Sequence, residues 1–446
     1  MPLDDTTNSS ETIGAKTQAA HDPYRALRFR DFRLLFSGVF IAVVGEQMLS
    51  IAIGWELYER TGSALALGLV GLVQIIPVIL LTLPAGHFAD QFNRKQIVVV
   101  AQSVLAISSL GLATLSYTHG SLILIYGCLL IMGIATAFND PASSTLLVQT
   151  VPESIYENAA TWRSSSWQLA SVLGPALGGL LIALQQSATL VYVLNAAAAF
   201  TYVGLMTQLR GRGKIAGSGE RMTLNSLLDG VKFLRSTQVM LAAITLDLFA
   251  VLLGGATTLL PVFAKDILHV GPTGLGWLRA APSIGAVCMA ICIAHTPPFK
   301  KAGRVLLWAV AGFGLATVIF GLSHSFWLSL LMLFVLGALD NVSVVIRSTL
   351  LLVRTPNQMR GRVSAINSLF TSASNELGGF ESGLAAQLFS PLLSVVGGGV
   401  GTILVVLCVA LLWPEMRKLN ALTEEKSQAP ELPSFSQREN DRSIAP

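Results

Sequence analysis

Charge is what this chain has least of. Only 12% of its 446 residues are Asp, Glu, Lys or Arg, while 52% are hydrophobic; a soluble domain carries about one quarter charged residues. That balance excludes an ordinary soluble fold. Cysteine is also scarce, and Cys128, Cys288, Cys292 and Cys408 all sit inside apolar runs, so they read as small packing residues rather than ligands. No zinc-ligand spacing, phosphate-binding loop or nucleophile elbow occurs. No metal, cofactor or catalytic constellation is therefore expected, nor an ATP-driven pump within this chain. The alternating ten-residue segments of a membrane barrel are missing too. Basic residues are scattered rather than gathered on one face, which argues against a nucleic-acid partner.

What remains is a succession of apolar runs, each of roughly 20 residues or more and long enough to cross a bilayer. Backbone polar groups in hydrocarbon must satisfy one another, so such runs become helices. The spans are expected near 34–58, 64–88, 97–117, 121–148, 160–184, 187–208, 239–263, 273–295, 304–323, 326–353, 362–387 and 391–413. Residues 1–30 are polar with no apolar core, so no cleavable signal peptide is expected. Arg25, Arg28, Arg30, Arg94, Lys95, Arg210, Arg212, Lys214, Lys300, Lys301, Arg360, Arg362 and Lys418 flank one side of these spans, against Arg60 and Lys265 on the other. The positive-inside rule then puts both termini in the cytoplasm. The expected organisation is a cytoplasmic tail (1–30), a six-helix bundle (31–208), a cytoplasmic linker (209–238), a second six-helix bundle (239–413) and a disordered tail (414–446). Leu224–Arg235 in the linker has the pattern of a surface amphipathic helix.

The halves are related. Gly133 to Leu180 recurs without gaps at Gly337 to Leu384: Ser144-Thr145-Leu146-Leu147 returns as Ser348-Thr349-Leu350-Leu351, Pro152 as Pro356, Leu173-Gly174 as Leu377-Gly378, and Gly179-Leu180 as Gly383-Leu384. Repeated half-proteins in a membrane chain suggest two lobes that rock about a site between them.

Two motifs add a family resemblance. The loop after span 2 reads Gly86-His-Phe-Ala-Asp90-Gln-Phe-Asn-Arg94-Lys95 and resembles the signature Gly-x-x-x-Asp-Arg/Lys-x-Gly-Arg-Arg/Lys of the major facilitator superfamily. Gly86, Asp90, Arg94 and Lys95 match; Gln91 and Asn93 depart from it, Asn93 replacing a glycine at what is expected to be a left-handed turn. The resemblance implies a latch at the cytoplasmic ends of the halves when the cavity faces outward, with the small Gly86 letting helices approach. Lys300-Lys301-Ala302-Gly303-Arg304 is a degenerate counterpart lacking the acid. Span 5 carries Gly174-Pro175-Ala176-Leu177-Gly178-Gly179, which looks like the superfamily's Gly-Pro-x-x-Gly-Gly motif, associated with proton-exchanging exporters. Asn139-Asp140-Pro141-Ala142, Val151-Pro152 with Asn158-Ala159, and Thr355-Pro356 with Met359-Arg360-Gly361-Arg362 are similar to the drug-efflux branch holding enterobactin-type siderophore exporters and macrolide-efflux proteins. The Arg-x-x-Gln-Gly motif of other drug-antiporter branches is missing from span 4.

A carboxylate inside a span costs a few kcal/mol unless it faces protein or a wet cavity. Glu46, Asp140, Asp247 and Asp340 lie in spans 1, 4, 7 and 10, the spans that line the cavity in the fold the resemblance implies. At about 1.5 Å per residue they form two tiers: Glu46 with Asp340 near the midplane, and Asp140 with Asp247 nearer the cytoplasm. Glu46 and Asp340 lead as proton-coupling groups. Asp140, beside Pro141, is also a candidate for satisfying backbone groups freed by the kink. Arg279 and Arg347 are the basic partners, Arg347 for an acid of the cytoplasmic tier or an anionic substrate. Glu376 and Glu381 in span 11 read as inter-helix hydrogen bonders, and Trp55, Trp167, Trp277 and Trp327 mostly as interfacial anchors.

The expectation is an all-α membrane protein of major facilitator fold, in a bacterial cytoplasmic membrane, with twelve helices in two pseudo-symmetric bundles. It would be a secondary transporter, not an enzyme, coupling proton entry to efflux of a siderophore or amphipathic drug. A monomer suffices, with substrate, protons and lipids as its partners. A metabolite importer of the same fold and a non-transporting sensor are the alternatives.

Overall fold

The computed structural model describes residues 22–210, 231–235, 237–356 and 359–420. The tail expected at 1–30 is thus described only from Asp22, most of the linker helix expected at Leu224–Arg235 lies outside the described residues, and so does the final tail from residue 421. Among the described residues are twelve long helical runs: α1 (Arg30–Thr61), α2 (Ala64–Gln91), α3 (Arg94–Tyr117), α4 (Leu122–Gln149), α5 (Tyr156–Gln185), α6 (Thr189–Thr207), α7 (Gln238–Leu253 and its broken extension to Ile267), α8 (Gly271–Ala294), α9 (Ala302–Leu322), α10 (Phe326–Arg354), α11 (Arg360–Leu388) and α12 (Pro391–Leu412). Eleven of them are long and apolar enough to cross a membrane. The exception, α11, has 29 residues and spans about 44 Å at helical rise. Arg360, Arg362, Glu376, Glu381 and many Ser, Asn and Gly residues make it too polar to qualify.

Local chemistry sets several boundaries. Ser63, Ser121 and Ser390 cap the starts of α2, α4 and α12 by accepting a backbone N–H. Gly62 ends α1 at φ 60°, a left-handed value suited to glycine. Asn93, expected in such a conformation, instead has φ −67° and caps α3, its Oδ1 accepting from Lys95 N at 3.0 Å. Asn is a strong N-cap, and that role needs extended backbone. Span 7 departs further from expectation. After Leu253 the chain passes Gly254, a 3-10 turn (Gly255–Leu259), a short helix (Leu260–Val262) and a π turn (Phe263–Ile267). A glycine pair followed by Pro261 weakens the helix there.

Asn158 fastens the N-terminal segment. Its Nδ2 donates to Pro23 O at 2.8 Å and its Oδ1 accepts from Ala26 N at 2.9 Å. At the other terminus order continues past the expected end of the bundle: Pro414–Lys418 forms a short helix, α13, whose Met416 is fully buried against α9. Apolar burial outweighs the charged composition there.

The helix pairings of the first half recur in the second with each number raised by six. α1 packs on α5 and α6, α2 on α4, and α3 on α4 and α6; α7 packs on α11 and α12, α8 on α10, and α9 on α10 and α12. Two crossings join the halves, α5 with α8 and α2 with α11, and they too exchange under this symmetry. Both are made where α5 and α11 end and α8 and α2 begin. That is the distal end of the bundle, opposite the end that holds the starts of α1 and α7 and the α2–α3 loop.

Candidate functional site

The duplicated glycines close the distal end. A Cβ on Gly179 would come within 2.9 Å of Gly276 Cα in α8, and a Cβ on Gly383 within 2.9 Å of Gly68 Cα in α2. Only backbones without side chains approach so closely. The preceding glycines seat each helix within its own half: a Cβ on Gly174 would lie 2.9 Å from Val44 O of α1, and one on Gly378 would lie 2.8 Å from Val251 O of α7. Gly178 lies against Met48 in the same way, and Pro175 presents its carbonyl to Gly276. Two side-chain hydrogen bonds also join the halves here. Tyr58 OH of α1 donates to Asp266 in the α7 extension, and Ser63 Oγ donates to Gln387 Oε1 of α11 at 2.9 Å. Lys265 Nζ lies 5.7 Å from the centre of the Tyr58 ring. Arg60, one of two bases expected on this side, is half-buried; it pairs with Glu56 and donates to the carbonyls of Leu115 and Ser116 at 3.1 Å. A cation is favoured at the carboxyl end of a helix such as α3.

Beneath this closure lies a cavity of about 620 Å³, within the range of small-molecule sites. Its wall includes Glu46, Gln47 and Ser50 of α1, Gly71 and Gln74 of α2, Thr136 and Asp140 of α4, Trp167 of α5, Thr257 and Thr258 of the α7 extension, Arg279 of α8, and Asn375 and Glu376 of α11. The wall is thus not drawn from spans 1, 4, 7 and 10 alone. The two crossings carry α2, α8 and α11 inward, and α10 contributes nothing to it.

The acids group by half rather than by tier. Glu46 and Asp140 share this cavity and lie close enough to repel one another. Asp140 also accepts from Asn139 Nδ2 at 3.4 Å. It opens onto the cavity, and the Ser144 and Thr145 hydroxyls one turn on donate to the Pro141 carbonyl at 3.1 and 2.8 Å. In the second half Arg347 forms an ion pair with Asp247, both side chains 9% exposed, and Asp340 lies within electrostatic reach of the pair. None of these three lines the cavity. Breaking such a buried pair leaves an unmatched charge, a loss of about 3–5 kcal/mol.

Linear reading passed over several wall residues. Glu376 enters the cavity as the electrostatic neighbour of Arg279, with its carboxylate against Gly71 of α2. The signal was available in the spacing: Ser372, Asn375, Glu376 and Gly379 recur at helical intervals and form a polar stripe on α11. Gln47 and Gln74 line the cavity as well, and a neutral amide leaves no charge signal in the sequence. Trp167 lines the cavity and Trp55 is buried in the core, whereas Trp277 and Trp327 are exposed on the outside.

The signature loop is engaged within the first half. Arg94 Nε donates to Ala89 O at 3.1 Å, and Lys95 Nζ donates to Thr207 O and Leu209 O at 3.1 and 2.8 Å. A Cβ on Gly86 would meet no atom within 4 Å, so no close helix approach is made there. Gly86, Arg94 and Lys95 stand apart from the cavity wall; the Asp90 side chain lies outside the described residues.

The sequence profile of the transmembrane secretion effector family matches residues 21–442. Relatives include the enterobactin exporter EntS of Citrobacter koseri, 26% identical over 393 residues, covering 87% of this chain and 92% of the relative. The Shigella boydii EntS is 25% identical over the same coverage. Among solved structures, the nucleoside transporter NupG superposes with a TM-score of 0.69 at 12% identity, covering 86% of this chain and all (100%) of the other. A bacterial homologue of the lysosomal transporter Spinster, inward-facing and occupied, gives 0.67 at 15% identity, covering 89% and 98%. These structural likenesses establish the fold.

Proposed function

The chain belongs to the transmembrane secretion effector family of the major facilitator superfamily, and on that premise we propose that it exports a small, siderophore-like molecule in exchange for protons. The carrying observation is the pairing of Glu46 with Asp140 on the wall of a cavity enclosed by two symmetric halves. A carboxyl group open to a wet cavity can bind a proton from one side and give it up to the other. When the cavity faces outward, the pair loads a proton. When it faces the cytoplasm, the higher local pH favours its release. The glycine crossings, Tyr58–Asp266 and Ser63–Gln387 seal the distal end. With the termini in the cytoplasm, as the basic flanking residues favour, this is a cytoplasm-facing state.

Opening the distal end requires the halves to rock and bring their termini ends together. The loop carrying Asp90, Arg94 and Lys95 then latches against the other half. A single chain supplies the whole cavity wall, so a monomer in a bacterial cytoplasmic membrane is the working unit. The relatives named as enterobactin exporters support a siderophore as cargo.

The test is enterobactin uptake into everted vesicles with an acid interior. Wild-type protein accumulates it and stops when the gradient is dissipated; Glu46→Gln holds the gradient yet accumulates none. Uptake that persists without the gradient, or that is unchanged in Glu46→Gln, defeats proton exchange at this site. Accumulation only with an alkaline interior indicates an importer.

A further inference from the structure

The charges on the cavity wall are unequally divided between signs. Glu46, Asp140 and Glu376 are acids, and among the described wall residues Arg279 is the one base. Its surroundings leave it poorly satisfied. Nη1 donates to Thr257 O at 3.3 Å, and the rest of the guanidinium fork has no described protein acceptor. Glu376 lies within electrostatic reach, but the two do not close into an ion pair among those described. An arginine set in a membrane-embedded wall with most of its donors unused is expensive unless something else accepts from them.

A guanidinium fork matches paired oxygens, as in a carboxylate or catecholate, and holds them through two parallel hydrogen bonds. Trp167 borders the same cavity and is 51% exposed. An indole face in a wet cavity offers stacking area to an aromatic ring. Ser372 and Asn375, on the α11 stripe beside Glu376, add hydrogen-bonding groups near the same wall.

We infer that Arg279 is the cargo anchor, taking the paired oxygens of an aromatic acid whose ring packs on the Trp167 side of the cavity, while Glu376 is the resident counter-charge that the anion must outcompete. This assignment of substrate class rests on the exporter reading above. It explains why Arg279 and Glu376 sit as neighbours without joining: a closed ion pair would leave no site for an anion, and an unaccompanied arginine would be costly when the cavity is empty.

Full-length protein in lipid nanodiscs, dialysed to equilibrium against radiolabelled salicylate or its neutral amide, salicylamide, tests the anchor directly. Wild type is expected to favour salicylate. Arg279→Gln should weaken salicylate about tenfold or more, the scale of a charge-assisted pair, and leave salicylamide unchanged. Arg279→Lys, which keeps the charge but loses the fork, should fall between. Glu376→Gln should tighten salicylate several-fold, a sign that a purely structural role for Glu376 would not give. Trp167→Ala should weaken both probes alike. Equal salicylate binding by wild type and Arg279→Gln overturns the anchor, as does parallel loss of both probes in a monodisperse Arg279→Gln or weaker salicylate binding in Glu376→Gln. If Arg279→Gln is not monodisperse, Arg279→Lys and Glu376→Gln decide. Gradient-driven enterobactin uptake is measured on the same preparation. Its absence with selective salicylate binding intact defeats the exporter reading alone; its presence with Arg279 variants indifferent to probe charge defeats the anchor alone.

Discussion

The two crossings that hold the halves together differ in one respect that matters. At α5–α8 and at α2–α11 the same duplicated glycines bring backbones to the same separation. The ungapped repeat, however, sets Glu376 of α11 opposite Val172 of α5, Asp340 opposite Thr136, and Arg347 opposite Ser143. On the α5 side of the first crossing the matching position is thus apolar, while α11 of the second carries an acid facing Gly71 and Arg279. Duplication has kept the backbone geometry of closure in both halves. The charged chemistry has diverged: α8 of the first crossing brings Arg279 to the cavity wall, and α11 of the second brings Glu376. Backbone contact requires glycine on both sides, whereas a side chain pointing into water-filled space is free to change.

The largest expected effect comes from removing the two first-half acids on this wall. Glu46→Gln with Asp140→Asn should reduce gradient-driven uptake to background, while Asp340→Asn, away from this wall, should leave cavity binding of salicylate unchanged. Dialysis of Asp340→Asn is the sharper arm; loss of probe binding there would mean the acids do not divide by half. Next comes the repeat position held by Arg347 and Ser143. Arg347→Gln should cost about 3–5 kcal/mol by stranding Asp247, and adding Asp247→Asn should recover part of that. Ser143→Ala, which loses only the 3.1 Å contact with Tyr202 OH, should cost about 1 kcal/mol. Reversible unfolding of the purified variants compares them, and equal losses would erase the distinction between halves.

Closure offers a third comparison. Gly179→Val and Gly383→Val should each hold the distal end apart and lower cysteine cross-linking between positions 63 and 387 by a similar factor. The measurement needs a background in which the four native cysteines are replaced. A large effect at one glycine only would show that the crossings are not equivalent in the working cycle. The smallest effect belongs to Tyr58→Phe. It removes one hydrogen bond to Asp266, worth about 1 kcal/mol, and should reduce the same cross-link by no more than a few-fold.

Much of this architecture can be read from the linear chain. Apolar runs of bilayer length announce helices because hydrocarbon leaves the backbone no alternative, and the repeat from Gly133 and Gly337 announces two like halves. The pairing of Arg347 with an acid is also within reach, since a buried charge seeks its opposite. Facing is where linear reading stops short. Counting residues from helix ends grouped Glu46 with Asp340, yet rotation about the helix axis decides what each acid faces, and that depends on partners distant in sequence. Trp167 and Glu376 line the cavity for the same reason: which face of α5 and α11 meets it is set by packing partners distant in sequence.

From residue order alone follow the membrane environment, the helical class, the twofold repeat and the glycines able to bring helices into contact, because each depends on local composition or spacing. Folding alone chose which acids meet, which arginine is neutralised by Asp247 and which is left facing open space, and which end of the bundle is shut. Those outcomes depend on the relative rotation and tilt of helices whose lipid-facing surfaces look alike, and only packing across the two halves selects among them.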